Sequence, residues 1–186
     1  MPSRNTCKEY VPHSFYHAYN RGVEKRIIFH DDQDYRVFLS YLRRHLCVVT
    51  EKDNSKRAYR HYESVELNAY CLMPNHFHLL FYIKDDPEQL SKIMQSVCTA
   101  YSMYFNKRYD RVGHLFQSRF KAARITKEPH AQHISRYIHQ NPEDYQNWEW
   151  SSFANYQSRK ILDWLHPERI LAMFTGDYAE FMNYYK

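Results

Sequence analysis

Residues 65–83, VELNAYCLMPNHFHLLFYI, decide the fold that this sequence predicts. Side chains alternate in character on both sides of a break at residues 73–75, and a period of two is typical of strands. Proline and asparagine in the break favour a turn. The stretch therefore predicts a β-hairpin whose second strand carries His76 and His78 on one face, because residues two apart in a strand point the same way.

A shared face would suit a metal site, but the spacing of the two histidines is a weak signal by itself. With 12 His in 186 residues, composition alone gives roughly one His-x-His by chance. Two partly buried structural histidines are the simpler interpretation of an isolated pair. The hairpin prediction rests instead on the alternation of apolar residues in both strands. In the first strand these are Val65, Leu67, Ala69 and Cys71, and in the second they begin at Phe77.

Periodicity elsewhere predicts five further elements and a loop. They are a strand over residues 14–21, a helix capped at Asp31-Asp32, a loop over residues 51–60, a helix after Asp86-Pro87, a strand over residues 119–125 and a helix from Glu128-Pro129 to Asn141-Pro142.

This order of elements predicts an α+β fold of the ferredoxin-like, βαββαβ type. In that plan an antiparallel sheet carries helices on one face and leaves the other partly open, and here one more helix follows. We expect a catalytic domain over residues 1–145. We expect residues 146–186 to form an aromatic-rich helical extension that packs on the same domain, and its apolar stripes favour packing over chemistry.

Composition narrows the classes of function. Three Gly make glycine-rich phosphate loops improbable, and four widely spaced Cys without a CxxC pair favour neither a zinc knuckle nor a disulfide framework. No apolar run is long enough for a signal peptide or a membrane span. We therefore expect a soluble, cytoplasmic protein that has no membrane partner.

Basic residues are concentrated in two stretches of the chain, whose formal net charge is +5. Residues 36–60 hold seven Lys or Arg against two acidic residues. Residues 104–124 hold six Lys or Arg against one Asp, interleaved with Tyr and Phe. Solvated helix faces would explain the charges equally well, but the aromatics favour single-stranded nucleic acid, whose bases can stack on them. The predicted DNA-binding residues are Lys107, Arg108, Arg111, Arg119, Lys121 and Arg124.

The third helix places His133, Tyr137 and Asn141 at intervals of four residues, so all three are expected on one helix face. Such a face would present a phenol between an imidazole and an amide. The ordinary interpretation is also open, because the chain has 18 Tyr and an Asn before Pro is a natural helix terminator.

Five segments, taken together and in order, resemble a known family. They are PNHFHLL (74–80), YFNKRY (104–109), GHLFQSRFK (113–121), RYIHQNP (136–142) and WEWSS (148–152). The chain resembles the HUH single-strand DNA transposases that use one tyrosine, including the REP-associated tyrosine transposases. The resemblance runs from about residue 16 to residue 156.

The resemblance implies a role for each motif residue. His76, His78 and Asn141 would bind a divalent metal, Mg²⁺ or Mn²⁺, and Tyr137 would be the nucleophile that cleaves and rejoins single-stranded DNA through a 5′-phosphotyrosine. Members of the family recognise short hairpins, and some act as homodimers. His133 has no counterpart in the motif, and we give it a supporting role in catalysis as our own hypothesis.

Two other functions fit the same sequence. One is a catalytically silent regulator that binds hairpin DNA or RNA on the same fold, which would not need all four site residues. The other is a metal hydrolase that uses His-x-His with further Asp or His ligands and a water nucleophile, independent of Tyr137.

Overall fold

The computed structural model describes residues 9–47, 61–157 and 162–183. The predicted loop over residues 51–60 lies outside these ranges. The described elements are β1 (Ser14–Arg21), α1 (Asp32–Leu46), β2 (Val65–Met73), β3 (His76–Ile83), α2 (Glu88–Arg108), β4 (Lys121–Ile125), α3 (Glu128–His139), α4 (Phe153–Tyr156), α5 (Glu168–Leu171) and α6 (Tyr178–Asn183). The predicted order of elements is confirmed.

The four strands form an antiparallel sheet with the spatial order β2-β3-β1-β4. This order and the βαββαβ connectivity confirm the ferredoxin-like fold. Met73 ends β2 and His76 begins β3, so the predicted turn at Pro74-Asn75 joins them. The carbonyl of Pro74 accepts the backbone N–H groups of Ile28 and Phe29, at 2.8 and 3.0 Å, which fixes the turn against the chain that follows β1.

Helices α1 and α2 pack on one face of the sheet, which we call the first face. Both helices begin near aspartates. The carboxylate of Asp31 accepts the backbone N–H groups of Gln33 and Asp34, so it caps α1 as predicted. Asp86 similarly accepts the N–H of Glu88 at the start of α2. The apolar stripes of α1 and α2 bury Phe38, Leu42, Ile93, Val97 and Tyr101 against this face.

A β-bulge in β2 changes which core its side chains enter. The register shifts between Leu67 and Ala69. Val65 and Leu67 belong to the core under α1 and α2, whereas Ala69 and Cys71 belong to the core on the opposite face. The expectation that these four residues share a face is therefore wrong, because the bulge adds a residue and reverses the alternation.

The second face of the sheet is more covered than the sequence predicted. Helix α3 contacts β2, β3 and β4, and apolar residues within 145–156 and 170–182 complete a second core there. Uncovered surface remains near the β2–β3 turn, at the end of the sheet where Arg21 closes β1 and His76 opens β3.

The C-terminal residues hydrogen-bond to the exposed edge of β2. The backbone N–H of Leu72 donates to Trp150 O at 2.9 Å, and the N–H of His166 donates to Leu67 O at 2.8 Å. A strand edge with unpaired N–H and C=O groups would otherwise be open to other chains. Within the described part of the chain, no helix is both long and apolar enough to cross a membrane.

Candidate active site

Three strands and one helix bring the candidate residues to a single pocket of about 320 Å³. Antiparallel pairing puts Tyr19 opposite both His78 and Lys121, and Arg21 opposite His76. Because these positions alternate with core residues, all five side chains lie on the face that α3 covers. The pocket is lined by Tyr19, Asn20, Arg21, Asn75, His76, His78, Gln117, Ser118, Lys121 and Tyr137.

Tyr137 lies over His78 of this pocket and over its buried neighbour His17. Its ring centroid is 5.4 Å from that of His78 and 6.0 Å from that of His17, and both contacts are edge-to-face. The Tyr137 side chain remains half exposed. The ring is therefore held on one side by the protein, while the pocket gives a substrate access to it.

His76 lies between two amide side chains. Its Nδ1 is 2.6 Å from Asn75 Oδ1, and its Nε2 is 2.9 Å from Asn141 Oδ1. The Nδ2 group of Asn75 donates to the carbonyl of Lys25 at 3.2 Å, so the Oδ1 of Asn75 is the atom that faces His76. A neutral imidazole has one N–H, so His76 can donate to only one of these two amide oxygens. Donation to Asn75 would leave the lone pair of Nε2 free for a metal ion.

Burial favours the neutral form of the site histidines. It lowers the pKa of His76, although the hydrogen bond with Asn141 acts in the opposite direction. Burial also holds the pKa of His78 well below 6.5, with further lowering from His17 and His76. Neutral imidazoles have the free lone pair that a metal ion requires.

The residues fit a divalent cation at this position. In the tautomer that has its proton on Nδ1, Nε2 of His76 and Oδ1 of Asn141 can both direct a lone pair at one ion. Their separation of 2.9 Å is close to the ~3.0 Å that separates adjacent ligand atoms around an octahedral ion with bonds of about 2.1 Å. In the ranges that the structure describes, no three His, Cys, Asp or Glu side chains form a metal cluster. The set implied here has an amide as its third member, and so it is not a cluster of that kind.

Asn141 contacts the pocket residue His76 from just beyond a helix. The sequence predicted that α3 would extend to Asn141, but it ends at His139. His139 is fully buried, and its ring contacts Ser152 Oγ and Tyr178 Oη, both at 2.8 Å. This anchor fixes the end of α3 between Tyr137 and Asn141.

His133 lies away from the pocket. It is solvent-exposed, its Nδ1 contacts the guanidinium of Arg136 at 2.9 Å, and its ring packs 5.6 Å from that of Phe181 in α6. The supporting role in catalysis that we predicted for His133 stays a prediction. The contacts with Arg136 and Phe181 show that His133 packs against its own helix and against α6.

The predicted DNA-binding residues lie in different surroundings. Lys121 lines the pocket, and Arg119 lines an adjoining groove of about 710 Å³ that shares Asn20, Gln117 and Ser118 with it. Arg124 is on the opposite face of β4, where its Nε contacts Ser14 Oγ at 3.3 Å.

The other three predicted DNA-binding residues lie at the end of α2 and just after it. Lys107 is exposed. Arg111 lies 5.7 Å from the ring centroid of Phe105. The guanidinium of Arg108 forms ion pairs with Asp31 and Asp34, at 2.6 and 2.7 Å, so its charge is already paired within the protein.

The sequence interpretation missed His17, Tyr19 and Arg21. Their alternation within the predicted first strand was visible, and it placed them on one face. The pairing of β1 with β3 is what brings them beside His76 and His78, and that pairing has no local signal in the sequence.

Comparison with known proteins identifies the family of this chain. The sequence matches the family described as IS200-like transposase over residues 35–141, which is more than half of the chain. The chain belongs to the IS200-like transposase family. The family match ends at Asn141, so it contains His76, His78 and Tyr137 as well.

Two solved structures are similar to this transposase. A REP-associated tyrosine transposase bound to a REP hairpin matches with a TM-score of 0.61 and 17% identity, over 88% of this chain and 91% of that one. A proposed transposase from Deinococcus radiodurans also matches, with a TM-score of 0.42 and 17% identity, over 74% of this chain and 95% of that one. A search of curated proteins finds no match.

Proposed function

We propose that this transposase cleaves and rejoins single-stranded DNA by transesterification, with Tyr137 as the nucleophile. The observation that carries the proposal is the convergence on one pocket of the half-exposed Tyr137, the buried His78 and His76, whose Nε2 contacts Asn141. A water-based hydrolase would not need the phenol in this position.

Tyrosine suits a reaction that must be reversible. Its hydroxyl, with an ordinary pKa of ~10, is a weak nucleophile near neutral pH but a good leaving group when the step runs backwards. In cleavage, the Tyr137 oxygen bonds to phosphorus while the bond from phosphorus to the 3′-oxygen breaks. The phenol loses its proton and the departing oxygen gains one. The 5′ side stays on Tyr137, and the free 3′-OH retains the ability to reverse the step.

His76, His78 and Asn141 would hold a divalent metal in this proposal. Mg²⁺ or Mn²⁺ bound there would stabilise charge on the non-bridging oxygens of the scissile phosphate. Imidazole ligands suit Mn²⁺ better than Mg²⁺, which prefers oxygen. Asn75 contributes by holding the proton of His76 on Nδ1, as its contacts with His76 and Lys25 indicate.

Basic side chains around the pocket would position the DNA backbone. Lys121 and Arg21 line the pocket itself, and Arg119 lines the adjoining groove. Contacts between such residues and phosphates fix the orientation of nucleic acid and make binding sensitive to salt. The solved relative that shares this fold is bound to a REP hairpin, and we propose a hairpin-forming single strand as the substrate here.

A covalent adduct would test the nucleophile. The purified protein is incubated with a hairpin oligonucleotide and Mn²⁺, with the label at the 3′ end in one sample and at the 5′ end in another. The wild type should give a labelled protein band on a denaturing gel from the 3′-labelled DNA, because the 5′-phosphotyrosine retains that fragment. The 5′-labelled DNA should instead give a shorter free strand.

Two tyrosine variants complete the test. Tyr137→Phe should abolish the adduct, whereas Tyr19→Phe, which removes the other phenol lining the pocket, should retain it. Cleavage without an adduct would identify a hydrolase. Tight binding of several hairpins without cleavage, with either Mn²⁺ or Mg²⁺, would identify a silent regulator.

A further inference from the structure

His17 forms a direct contact with one of the proposed metal ligands. Its Nε2 is 2.8 Å from Nδ1 of His78, and the two rings stack with centroids 5.0 Å apart. His17 and His78 are 9% and 7% exposed, so water does not compete freely for this hydrogen bond. Tyr19 also stacks on His17, with ring centroids 5.0 Å apart.

Register explains why the two rings meet. Tyr19 of β1 lies directly opposite His78 of β3, and His17 is two residues from Tyr19 on the same face. Side chains in this diagonal arrangement on neighbouring strands are close enough for long or aromatic groups to touch. The sheet therefore fixes the contact, and no mobile segment is involved.

The hydrogen bond between two neutral imidazoles has two possible directions, and they have opposite consequences. If His17 Nε2–H donates, the proton of His78 lies on Nε2, and that nitrogen has no lone pair for a metal. If His78 Nδ1–H donates to the lone pair of His17 Nε2, then Nε2 of His78 is unprotonated. The second direction is the one compatible with ligation, since His78 has no other nitrogen left for it.

We propose that His17 is a positioning residue that accepts the Nδ1–H of His78, fixing the tautomer and ring orientation in which His78 Nε2 can bind the metal. Asn75 would do the same for His76, because its Oδ1 would accept the Nδ1–H of that ring. Each histidine of the pair then has its own acceptor, an amide for one and an imidazole for the other. Such outer partners typically alter metal affinity or activity by 10- to 100-fold. The inference rests on the proposed metal role of His76 and His78.

Titration of Mn²⁺ into the protein without DNA, by calorimetry, tests this with a readout other than cleavage. His17→Phe keeps a planar ring but removes the acceptor, and it should weaken Mn²⁺ binding about 10- to 100-fold. His17→Gln keeps an acceptor oxygen near the position of Nε2, and it should bind Mn²⁺ within a few-fold of the wild type. Thermal unfolding of each variant shows whether the fold is retained.

A parallel titration of His78→Ala separates the two proposals. If the wild type and His78→Ala bind Mn²⁺ equally, or neither binds it, the proposed metal role fails. If His78→Ala loses binding but His17→Phe binds as the wild type does, the role of His17 alone is overturned. Equal losses in His17→Phe and His17→Gln would also overturn it, because the acceptor would then not be the cause.

The tautomer itself can be measured on the wild type, which keeps the inference testable if His17→Phe does not fold. Long-range ¹H–¹⁵N NMR spectra distinguish protonated from unprotonated ring nitrogens, and the signals missing in His78→Ala assign His78. We expect the proton on Nδ1 in the metal-free protein. A proton on Nε2 would overturn the proposal.

Discussion

At the scale of single residues, the site depends on which nitrogen of each histidine carries the proton. Asn75 illustrates this, because its two amide atoms have different partners. Its Nδ2 donates to the carbonyl of Lys25, and its Oδ1 faces His76 Nδ1. Lys25 has a positive φ of 61°, so the turn that offers this carbonyl has an uncommon backbone conformation. In the proposed site, the turn and the amide together hold the proton of His76 on Nδ1.

Replacing this amide should therefore weaken the metal site. We expect Asn75→Ala to lower Mn²⁺ affinity by about tenfold or more, because His76 loses the acceptor that fixes its tautomer. Asn75→Asp keeps an acceptor oxygen and should stay closer to the wild type. Calorimetric titration of both variants measures the difference. Equal affinities for Asn75→Ala and the wild type would contradict this assignment.

At the scale of elements, a buried carboxylate joins α1 to α2. The side chain of Asp34 is fully buried and accepts hydrogen bonds from Tyr104 Oη, Tyr109 Oη and Arg108, at 2.7–2.9 Å. It also accepts the backbone N–H of His30 at 2.8 Å. The sequence had suggested that this group of aromatic and basic residues would contact DNA. The structure shows that it holds the C-terminal end of α2 against the start of α1.

Asp34→Asn should lower the free energy of unfolding by at least about 2 kcal/mol, because the amide cannot accept from all of these buried donors. Asp32→Asn is the matched control in the same helical turn. Asp32 forms an exposed pair with Arg36, and its loss should cost less than about 1 kcal/mol. Urea unfolding measures both. Similar losses in the two variants would show that the buried network contributes little.

The interface between α1 and α2 also makes stability depend on pH. His45 of α1 is buried beside Ser96 of α2, with 3.0 Å between Nε2 and Oγ, and burial lowers its pKa to about 4. In the unfolded chain the ordinary value is 6.5. Between these two values the unfolded state binds the proton and the folded state does not, so stability is lost as pH falls from 6.5 towards 4.

His45→Gln should reduce this loss. Glutamine can bond to Ser96 but does not titrate, so the fall in unfolding free energy between pH 7 and pH 4.5 should be roughly 1–3 kcal/mol smaller than in the wild type. Urea unfolding at several pH values measures it. An identical pH dependence in both proteins would show that His45 is not one of the groups responsible.

At the scale of the whole molecule, the C-terminal residues complete the sheet and its second core. Ile170 of α5 is fully buried there, with Tyr178 of α6 nearby in the same cluster. Tyr178 also contacts His139 at the end of α3. The proposed division at residue 145 therefore separates segments that share one apolar core.

Ile170→Ala tests whether these segments unfold together. A fully buried isoleucine truncated to alanine typically costs about 2–5 kcal/mol, and we expect one cooperative transition at lower urea concentration. Leu171→Ala, at a half-buried neighbouring position, should cost less. Two separate transitions, with the first alone affected by Ile170→Ala, would show that the extension is an independent unit.

The sequence by itself determined the order of the elements, the hairpin at Pro74-Asn75 and the cap at Asp31, because periodicity and capping are local properties of a chain. It also placed His76, His78 and Tyr137 in motifs of a family to which the chain belongs. Tertiary structure alone decided the bulge after Leu67, the pairing of His17 with His78 and the occupation of Arg108 by two aspartates. Each of these depends on contacts between residues far apart in the sequence, whose pairing no local pattern specifies.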